Sequence, residues 1–354
     1  MNIERPDLSQ TDPIVRAYIK ALEAELERLG PRKERSQPPL LEPSETPTTL
    51  NVITISAAGM AKRTPRHLYT RQHRGGMGIF DLDTPKADPP TLLTIADQSA
   101  SLLFFTTQAR ALFLPVSELP ESPVRDRGQS LTASEGRFAE MLPLRPKERL
   151  ALVVPDKEGT FLALLSQQGY VKLINRPYLR PGTALYDSNA FGPPVSACWT
   201  TGKDDLFIAT RQGRAIRFAE RGLSVGGGPG IRLKGKDVAV AIADVRSDSG
   251  VFLLSADGLA TIRLMSGFSP NKAPGSGGKI ALKTDHLVGA VAIDEADDLF
   301  IISRLSKIIR FCASKVPAKQ GVIRGVRCIT LRSDETTAVA RSLARTGNQV
   351  PLAP

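Results

Sequence analysis

The chain has 354 residues, of which 41% are hydrophobic, 23% charged and 5% aromatic, and its formal charge is +11. This length and apolar content can fill the core of one large domain or two ordinary ones, which excludes a disordered polybasic tail. Three cysteines without C-x-x-C spacing and three histidines argue against a disulfide framework or a zinc cluster. The N-terminus lacks a basic region followed by an apolar stretch, and no run of about 18 apolar residues occurs. The sequence therefore predicts a soluble cytoplasmic protein with no membrane partner.

The positive charge is unevenly distributed along the chain. Residues 1–50 carry a net charge of −2, whereas residues 51–354 carry +13. A charge of this size favours binding to an acidic partner, and we expect that binding to belong to the larger, C-terminal part.

Residues 1–30 contain one predicted amphipathic helix of about 17 residues. Asp12 is suited to cap its N-terminus, Pro13 to occupy its first turn, and Gly30-Pro31 to end it. The helix either packs on its own domain or docks on a partner, which could be a second copy. Residues 31–50 are rich in proline and are predicted to form a stiff linker. The apolar seam of the helix comprises Val15, Ile19, Leu22, Leu26 and Leu29.

Six copies of one strand-and-turn pattern follow the linker. In each copy an apolar strand ends on a hydroxyl residue, and the turn after it ends on glycine in four copies. Glycine suits tight hairpin turns because they require a positive φ. Ala109 and Ser306 replace it in two copies, so those turns must use another geometry or carry strain of about 1 kcal/mol. The copies are residues 53–59, 103–109, 163–169, 207–213, 252–258 and 300–306.

The strand that returns from each turn, here called the return strand, repeats two further features. Its second residue is always apolar and should face the core. Basic residues recur beside it in copy after copy, which predicts a row of positive charge. The apolar positions are Ala61, Ala111, Val171, Ala215, Ala260 and Ile308. The basic residues are Lys62, Arg63, Arg110, Lys172, Arg214, Arg217, Arg263, Lys307 and Arg310.

These repeats predict an all-β, six-bladed propeller over residues 51–335, preceded by the short N-terminal α-helix and followed by a flexible tail over residues 336–354. A single blade cannot bury both of its faces, so the blades should form one cooperative ring.

The loop after the first hairpin carries a motif that points to a family. Residues 71–79 read Arg-Gln-His-Arg-Gly-Gly-Met-Gly-Ile, and they follow Lys62-Arg63. This resembles the box Q-R-R-G-G-(R/K)-G in blade 1 of the C-terminal domain found in the A subunits of DNA gyrase and topoisomerase IV. His73 and Met77 replace two basic positions of that box. Further similar stretches extend the resemblance over residues 50–335: 118–120 with 127–128, 168–172, 212–218 and 321–326.

The resemblance implies a six-bladed β-pinwheel whose basic rim wraps duplex DNA without sequence preference, with the box shaping a contact loop. Positive side chains along such a rim neutralise phosphates, and glycines let a phosphate approach backbone N–H groups. The residues expected to contact DNA are Lys62, Arg63, Arg71, Gln72, His73, Arg74, Gly75, Gly76, Gly78, Lys172, Arg214, Arg217, Lys307 and Arg310.

Two further glycine-rich stretches, residues 226–230 and 274–279, lie where the fourth and fifth blades would carry loops equivalent to the box. Neither has the spacing of a nucleotide-binding loop, and a plain flexible loop is the alternative. Asp204-Asp205 and Asp297-Asp298 precede repeat strands at matching offsets and are expected to open blades rather than act as an acid–base pair.

Three functions remain open from the sequence. The first is a DNA-binding and DNA-bending or wrapping protein that modulates topology without cleaving a strand, needs no cofactor and associates with the nucleoid. The second is a protein-interaction propeller that relies on the N-terminal helix. The third is an accessory piece of a type II topoisomerase. The resemblance does not extend to the breakage-reunion portion, and no tyrosine lies in an A-x-R-Y-T context, so we expect no autonomous catalysis.

Overall fold

The computed structural model describes residues 11–29, 45–131, 142–157, 159–224 and 226–343. The chain divides into two compact units, Met1–Ser44 and Glu45–Pro354. The first unit contains helix α1 and the second contains the repeats.

Helix α1 spans Pro13–Leu29, as its apolar spacing predicts. Asp12 caps it, since its Oδ1 accepts a hydrogen bond of 2.8 Å from the Ile14 N–H. Val15, Tyr18 and Leu22 are exposed. The linker over residues 31–44 lies outside the described residues. Among the helices that the structure describes, none has the length and apolar content that a membrane crossing needs.

The second unit is built almost entirely of short strands, with one helical turn, α2 (Ser188–Phe191). The strands are β1 (Leu50–Ser56), β2 (Met60–Pro65), β3 (Ile79–Phe80), β4 (Pro90–Asp97), β5 (Ser101–Thr106), β6 (Ala111–Pro115), β7 (Gln129–Ser130), β8 (Leu150–Pro155), β9 (Phe161–Ser166), β10 (Tyr170–Asn175), β11 (Pro194–Thr200), β12 (Asp205–Thr210), β13 (Arg214–Ala219), β14 (Gly228–Pro229), β15 (Ala239–Val245), β16 (Gly250–Ser255), β17 (Leu259–Leu264), β18 (Lys279–Ile280), β19 (Leu287–Ile293), β20 (Asp298–Ser303), β21 (Lys307–Cys312), β22 (Ala318–Lys319), β23 (Val326–Arg327) and β24 (Thr336–Ser342).

Within the described residues these strands form six sheets, so the predicted all-β, six-bladed fold is confirmed. Each sheet contains one repeat hairpin flanked by an inner strand. The sheets, numbered as blades 1 to 6, have the orders β4-β1-β2-β7, β8-β5-β6, β11-β9-β10-β14, β15-β12-β13-β18, β19-β16-β17-β22 and β24-β20-β21-β3, with β23 also pairing β17.

Neighbouring blades exchange their outermost strands. After each return strand the chain makes a short 3₁₀ turn and reaches the outer edge of the preceding blade before it comes back to its own inner edge. Strand β18, for example, follows the blade 5 hairpin but pairs with β13 of blade 4. The exchange also closes the ring, because β3 follows the blade 1 hairpin and pairs with β21 of blade 6. The pinwheel is therefore held shut by non-covalent contacts between its first and last blades.

Both faces of a blade are buried against its neighbours. In β1, Ile53 packs on one side with Leu102 and Phe104 of blade 2, while Val52 packs on the other with Phe300 of blade 6. A strand in this position is buried on successive residues rather than on alternate ones, as strand β1 shows. The second residue of every return strand is buried, as predicted.

The two hairpin turns without glycine use the same backbone geometry as the other four. Ala109 and Ser306 have φ values of 57° and 58°, within the left-handed region that their glycine counterparts occupy. Of the two alternatives, the strained turn is therefore the one found, at a cost of about 1 kcal/mol each.

Two predicted boundaries need correction. Thr336–Ser342, assigned to a flexible tail, form β24, the inner strand of blade 6. The linker was expected to run to residue 50, but Glu45 already binds Arg66 and Arg310 of the propeller unit. Residues 344–354 lie outside the described part of the chain.

Candidate nucleic-acid interface

The box loop, residues 71–78, lies along blade 6 and forms part of the ring closure. Its backbone is extensively bonded: the Gln72 N–H donates to Arg310 O at 2.7 Å, and the Gly75 N–H donates to Cys328 O at 2.8 Å. Thr330 Oγ1 donates to Gly75 O at 2.7 Å, and the Gly76 N–H donates to His73 O. The N–H groups of Gly75 and Gly76 thus already have protein acceptors, so these glycines do not present the free donors that the sequence suggested.

Gly78 is needed for packing. Its φ is +69°, and a Cβ at this position would lie 2.7 Å from Ile308 O, where no side chain fits. The same close approach recurs where β7, β14, β18 and β23 join the preceding blade. The equivalent distances are 2.5 Å for Gly128 to Ala61 O, 2.6 Å for Gly227 to Val171 O, 2.9 Å for Gly278 to Ala215 O, and 2.7 Å for Gly325 to Ala260 O.

The two arginines of the box loop combine exposure with internal contacts. Arg71 Nε donates to Asp298 Oδ1 at 2.8 Å, while 51% of its side chain remains exposed. This hydrogen bond raises the Arg71 pKa, so the charge persists. Arg74 donates to Lys315 O and Arg327 O at 2.9 and 2.5 Å. His73 is exposed and Gln72 is half-buried. A phosphate contact by these residues stays a prediction.

Lys62 is a buried structural residue, which corrects its assignment to DNA contact. Its Nζ lies 2.8 Å from Asp81 Oδ1, and neither side chain is exposed. Asp81 also accepts hydrogen bonds from Thr54 and Tyr69. Burial lowers the pKa of Lys62 and the Asp81 charge opposes that shift. A side chain held in this way cannot reach phosphate.

Arg63, Arg217 and Arg310, here called the clamp arginines, are also buried and are likewise corrected. Each lies on a return strand, faces the next blade, and donates to carbonyl groups in or directly after that blade's 3₁₀ turn. Each also bonds to a side chain at the start of the first hairpin strand in its own blade. The carbonyl acceptors are Leu119 O for Arg63, Met265 O and Phe268 O for Arg217, and Arg66 O and Tyr69 O for Arg310.

The clamps also explain the recurrent acidic residues. Arg217 binds Asp205 at 2.8 Å, and Arg310 binds Asp298 at 2.5 Å. Asn51 takes the equivalent place beside Arg63, with a longer contact of 3.5 Å. Asp205 and Asp298 thus begin the first hairpin strand of their blades, as expected. Each also forms an ion pair with the clamp arginine of the same blade.

The remaining predicted residues lie half-buried near the outer edges of three blades. Lys172 Nζ donates to Gly226 O at 2.8 Å, and Arg214 Nη2 donates to Gly278 O at 2.6 Å. Lys307 Nζ lies 3.3 Å from the centre of the Phe80 ring. These three side chains are placed where a backbone phosphate could reach them, and their role in DNA contact stays a prediction.

The exposed basic residues lie mainly in the six connections that carry the exchanged strands, here called the perimeter segments: 66–89, 116–149, 176–193, 220–238, 265–286 and 313–335. The pattern of the repeat strands misses most of them. Comparing the net charge of each connecting loop in the sequence could have found them. The segment 220–238, for example, holds four basic residues, all exposed, and its two carboxylates, Glu220 and Asp237, are buried. The exposed basic residues in the described perimeter are Arg71, Lys86, Arg125, Arg127, Arg145, Lys147, Arg149, Arg176, Arg180, Arg221, Arg232, Lys234, Lys236, Lys272, Lys283, Lys315, Lys319, Arg324, Arg327 and Arg332.

The central channel is lined by side chains of both charges: Lys157, Arg246 and Arg341 are basic, and Asp244 and Asp294 are acidic. It has a volume of about 510 Å³ and is lined by the innermost strands. Asp244 lies in its wall, and its Oδ1 is buried without a hydrogen-bond partner among the described residues. Burial, followed by the charges of Asp204 and Glu220, raises the Asp244 pKa to about 7. The perimeter segments hold most of the exposed basic residues, which makes them the candidate interface.

A buried ion pair in blade 2 gives stability a defined pH dependence. Arg110 Nη2 lies 2.5 Å from Glu148 Oε2, and the Arg145 N–H and Thr106 hydroxyl also donate to this carboxylate. Burial raises the pKa of Glu148, but these donors outweigh it and lower the pKa from 4.5 to about 2. The stabilisation is complete above pH 4.5 and is lost as the pH falls toward 2.

We expect protonation of Glu148 alone to remove about 3 kcal/mol from the free energy of unfolding between about pH 5 and pH 2. Glu148→Gln should be destabilised at pH 7 and lose less stability on acidification than the wild type. Urea unfolding at several pH values measures both. Glu335→Gln, at an exposed carboxylate, is the control and should follow the wild type. Parallel curves for wild type and Glu148→Gln would contradict the assignment.

Six blades with exchanged outer strands, a glycine-rich closing loop and basic perimeter segments define a β-pinwheel of the kind found in DNA topoisomerases. The family model described as "DNA gyrase C-terminal domain, beta-propeller" matches residues 50–86, 204–246 and 297–341. Three stretches of the chain thus match the model of the DNA gyrase A C-terminal domain family, which confirms the resemblance noted in the sequence.

Curated relatives and solved structures agree with this assignment. The DNA gyrase A subunit of Mycolicibacterium smegmatis is 29% identical over 319 residues, which are 82% of this chain and 36% of the relative. The DNA gyrase A subunit of Salmonella typhimurium is 25% identical over 309 residues, 83% of this chain and 34% of the relative. The chain thus spans about a third of the length of these proteins.

Two solved domains share the fold. A DNA gyrase A C-terminal domain superposes with a TM-score of 0.73 at 21% identity, covering 83% of this chain and 100% of that domain. The C-terminal domain of DNA topoisomerase IV superposes with a TM-score of 0.56 at 20% identity, covering 84% and 94%.

Proposed function

We propose that the propeller binds duplex DNA without sequence preference along its perimeter and bends or wraps the duplex around that edge. The observation that carries this proposal is the placement of exposed basic side chains in the perimeter segments of all six blades. Such side chains neutralise phosphates and release counterions, so the binding should depend steeply on salt.

The charge of the other surfaces supports the perimeter as the binding edge. The turns that lead from an innermost strand to the next hairpin place carboxylates beside their exposed basic residues, and the channel wall carries both signs of charge. Exposed basic residues are therefore more concentrated along the perimeter than on either of these surfaces. The carboxylates in or beside these turns include Asp97, Asp156, Asp204, Asp248, Asp294 and Asp297.

Similarity to DNA gyrase A subunits supports a role in DNA topology. The matched relatives are DNA gyrase A subunits, and the chain corresponds to about a third of their length. The proposal therefore concerns binding and shaping of DNA, with strand cleavage left to other proteins. The proposed protein partner is a component of a type II topoisomerase, or a second copy bound through α1, and the nucleoid is the proposed location.

A plasmid topology assay tests whether the protein wraps DNA. Relaxed plasmid is incubated with the protein and a nicking-closing enzyme at about 50 mM salt, and the linking number is measured after deproteinisation. We expect a shift in linking number that grows with the protein-to-DNA ratio and disappears at high salt. Gel shifts under the same conditions separate the steps: binding with an unchanged linking number excludes wrapping, and no binding excludes the proposed function.

A protein-interaction role keeps one supporting observation. Helix α1 exposes Ile14, Val15, Tyr18 and Leu22, a pattern suited to docking. If this role dominates, deletion of residues 1–30 should abolish capture of the partner while DNA binding by the propeller persists.

A further inference from the structure

The glycine-rich loop of blade 5 is the structural equivalent of the box loop. Strand β18 begins at Lys279, opposite Ala215, just as β3 begins at Ile79, opposite Ile308. The preceding loops are also held alike, because the Gly275 N–H donates to Gly230 O at 3.0 Å as the Gly75 N–H does to Cys328 O. Residues 272–280 therefore occupy in blade 5 the place that residues 72–80 occupy in blade 1.

A buried arginine lies beneath this loop. Arg263 is 5% exposed, and it shares a face of its sheet with Val251, which packs against Phe207 of blade 4. Its Nε and Nη1 atoms are buried without a hydrogen-bond partner in the part of the chain that the structure describes. Burial lowers its pKa. The guanidinium lies 5.6 Å from the centre of the Phe268 ring.

Lys279 brings a second cation to the same ring. Its Nζ lies 4.1 Å from the centre of Phe268, and the side chain is half-buried. Burial lowers the Lys279 pKa, and the charges of Arg263, Lys272 and Arg217 lower it further. Arg217 is neutralised by Asp205. No described carboxylate forms an ion pair with Arg263 or Lys279.

Lys272 links these cations to solvent. It is exposed, and its Nζ donates to Gly277 O at 2.6 Å within the same loop. Lys272, Lys279 and Arg263 thus descend from the surface to the buried seam between blades 4 and 5.

The fold itself does not require an arginine at position 263. The equivalent return-strand position is Thr64 in blade 1, Leu114 in blade 2, Ile174 in blade 3, Phe218 in blade 4 and Phe311 in blade 6. A buried cation without a carboxylate costs free energy that an apolar residue would not. An anion held between Arg263 and Lys279 offsets this cost, and a guanidinium edge beside an ammonium group matches the oxygens of a phosphate.

We propose that Arg263, Lys279 and Lys272 form a phosphate-binding site at the seam between blades 4 and 5, in the blade 5 counterpart of the box. The site takes a tetrahedral phosphate group. Its assignment to a phosphodiester of duplex DNA rests on the proposed function, whereas phosphate binding itself does not.

The first test uses inorganic phosphate with the full chain. Thermal unfolding is followed in about 10 mM orthophosphate and in chloride of equal ionic strength. We expect orthophosphate to raise the Tm of the wild type by about 2–4 °C. Arg263→Leu places at this position the residue found in blade 2, so it should fold with a Tm at or above the wild-type value and lose the phosphate response. Lys279→Gln should also lose it, and Lys203→Gln, an exposed lysine in the turn before β12, should keep it.

The second test uses a 30-base-pair duplex at about 50 mM salt. Lys279→Gln should weaken binding about tenfold relative to Lys203→Gln and reduce the salt slope by about one. An orthophosphate response with unchanged duplex affinity assigns the site to free phosphate and overturns its role in DNA contact. If Arg263→Leu and Lys279→Gln match the control in both their orthophosphate response and their duplex affinity, the site is refuted. This holds even if the wild type binds DNA. If the wild type binds no duplex, the proposed function fails and the orthophosphate arm still decides the site.

Discussion

Replacing Arg310 by methionine is expected to lower the free energy of unfolding by about 3–5 kcal/mol, the largest effect on stability that we predict for one residue. Arg310 is 1% exposed and bonds to Asp298, Glu45, Arg66 O and Tyr69 O. Its removal leaves a buried carboxylate with Arg71 as its remaining partner and takes a charged donor from two carbonyl groups. These contacts join blade 6 to blade 1, so the loss falls on the closure of the ring.

Urea unfolding of Arg310→Met measures the effect, and hydrogen exchange locates it. The amide of Gln72 donates to Arg310 O, so its exchange should accelerate more than that of amides in blades 3 and 4. Arg304→Met, at an exposed arginine in the turn of the same hairpin, is the matched control and should stay within about 0.5 kcal/mol of the wild type. A loss below about 1 kcal/mol for Arg310→Met would show that the clamp does not hold the ring.

Neutralising three perimeter cations should produce the largest effect on DNA binding. Arg232, Lys234 and Lys236 are exposed in one perimeter segment. If each contacts phosphate, the triple glutamine variant loses about two to three released counterions. Its duplex affinity should fall by about 10²-fold at about 50 mM salt, and the slope of log K against log salt should fall by about two to three.

The control for this variant removes the same charge from turns outside the perimeter segments. Lys157, Lys203 and Arg246 are exposed in turns that follow innermost strands, so their triple glutamine variant carries an equal net charge. It should retain the wild-type salt slope and most of the affinity. Equal losses in both variants would mean that overall charge, rather than the perimeter, attracts the duplex. Fluorescence anisotropy over a salt series gives both quantities.

The clamp arginines show where reasoning from the sequence reached the wrong role. Arg63, Arg217 and Arg310 recur at one repeat position, which correctly marked a shared task. We inferred solvent exposure because charged residues on a strand commonly face water. In a propeller blade, however, both faces of the central strands pack against neighbouring blades, so a recurrent arginine there is directed into a seam.

The box loop shows a different limit. Its glycine at position 78 is required for the close approach of β3 to Ile308 O, a contact between residues far apart in the sequence. The motif was therefore located correctly, while the reason for this glycine depended on a strand that pairs with the last blade. Nothing near residue 78 in the sequence indicates that partner.

The sequence by itself determined the number of blades, the hairpins and the apolar position of each return strand, because these depend on local periodicity and turn chemistry repeated along the chain. Only the tertiary structure decided which basic residues meet solvent. Strand exchange and the packing of both blade faces bury return-strand cations and leave the perimeter segments exposed. The charge of +13 in residues 51–354 is thus divided between clamps inside the ring and a surface able to meet phosphate.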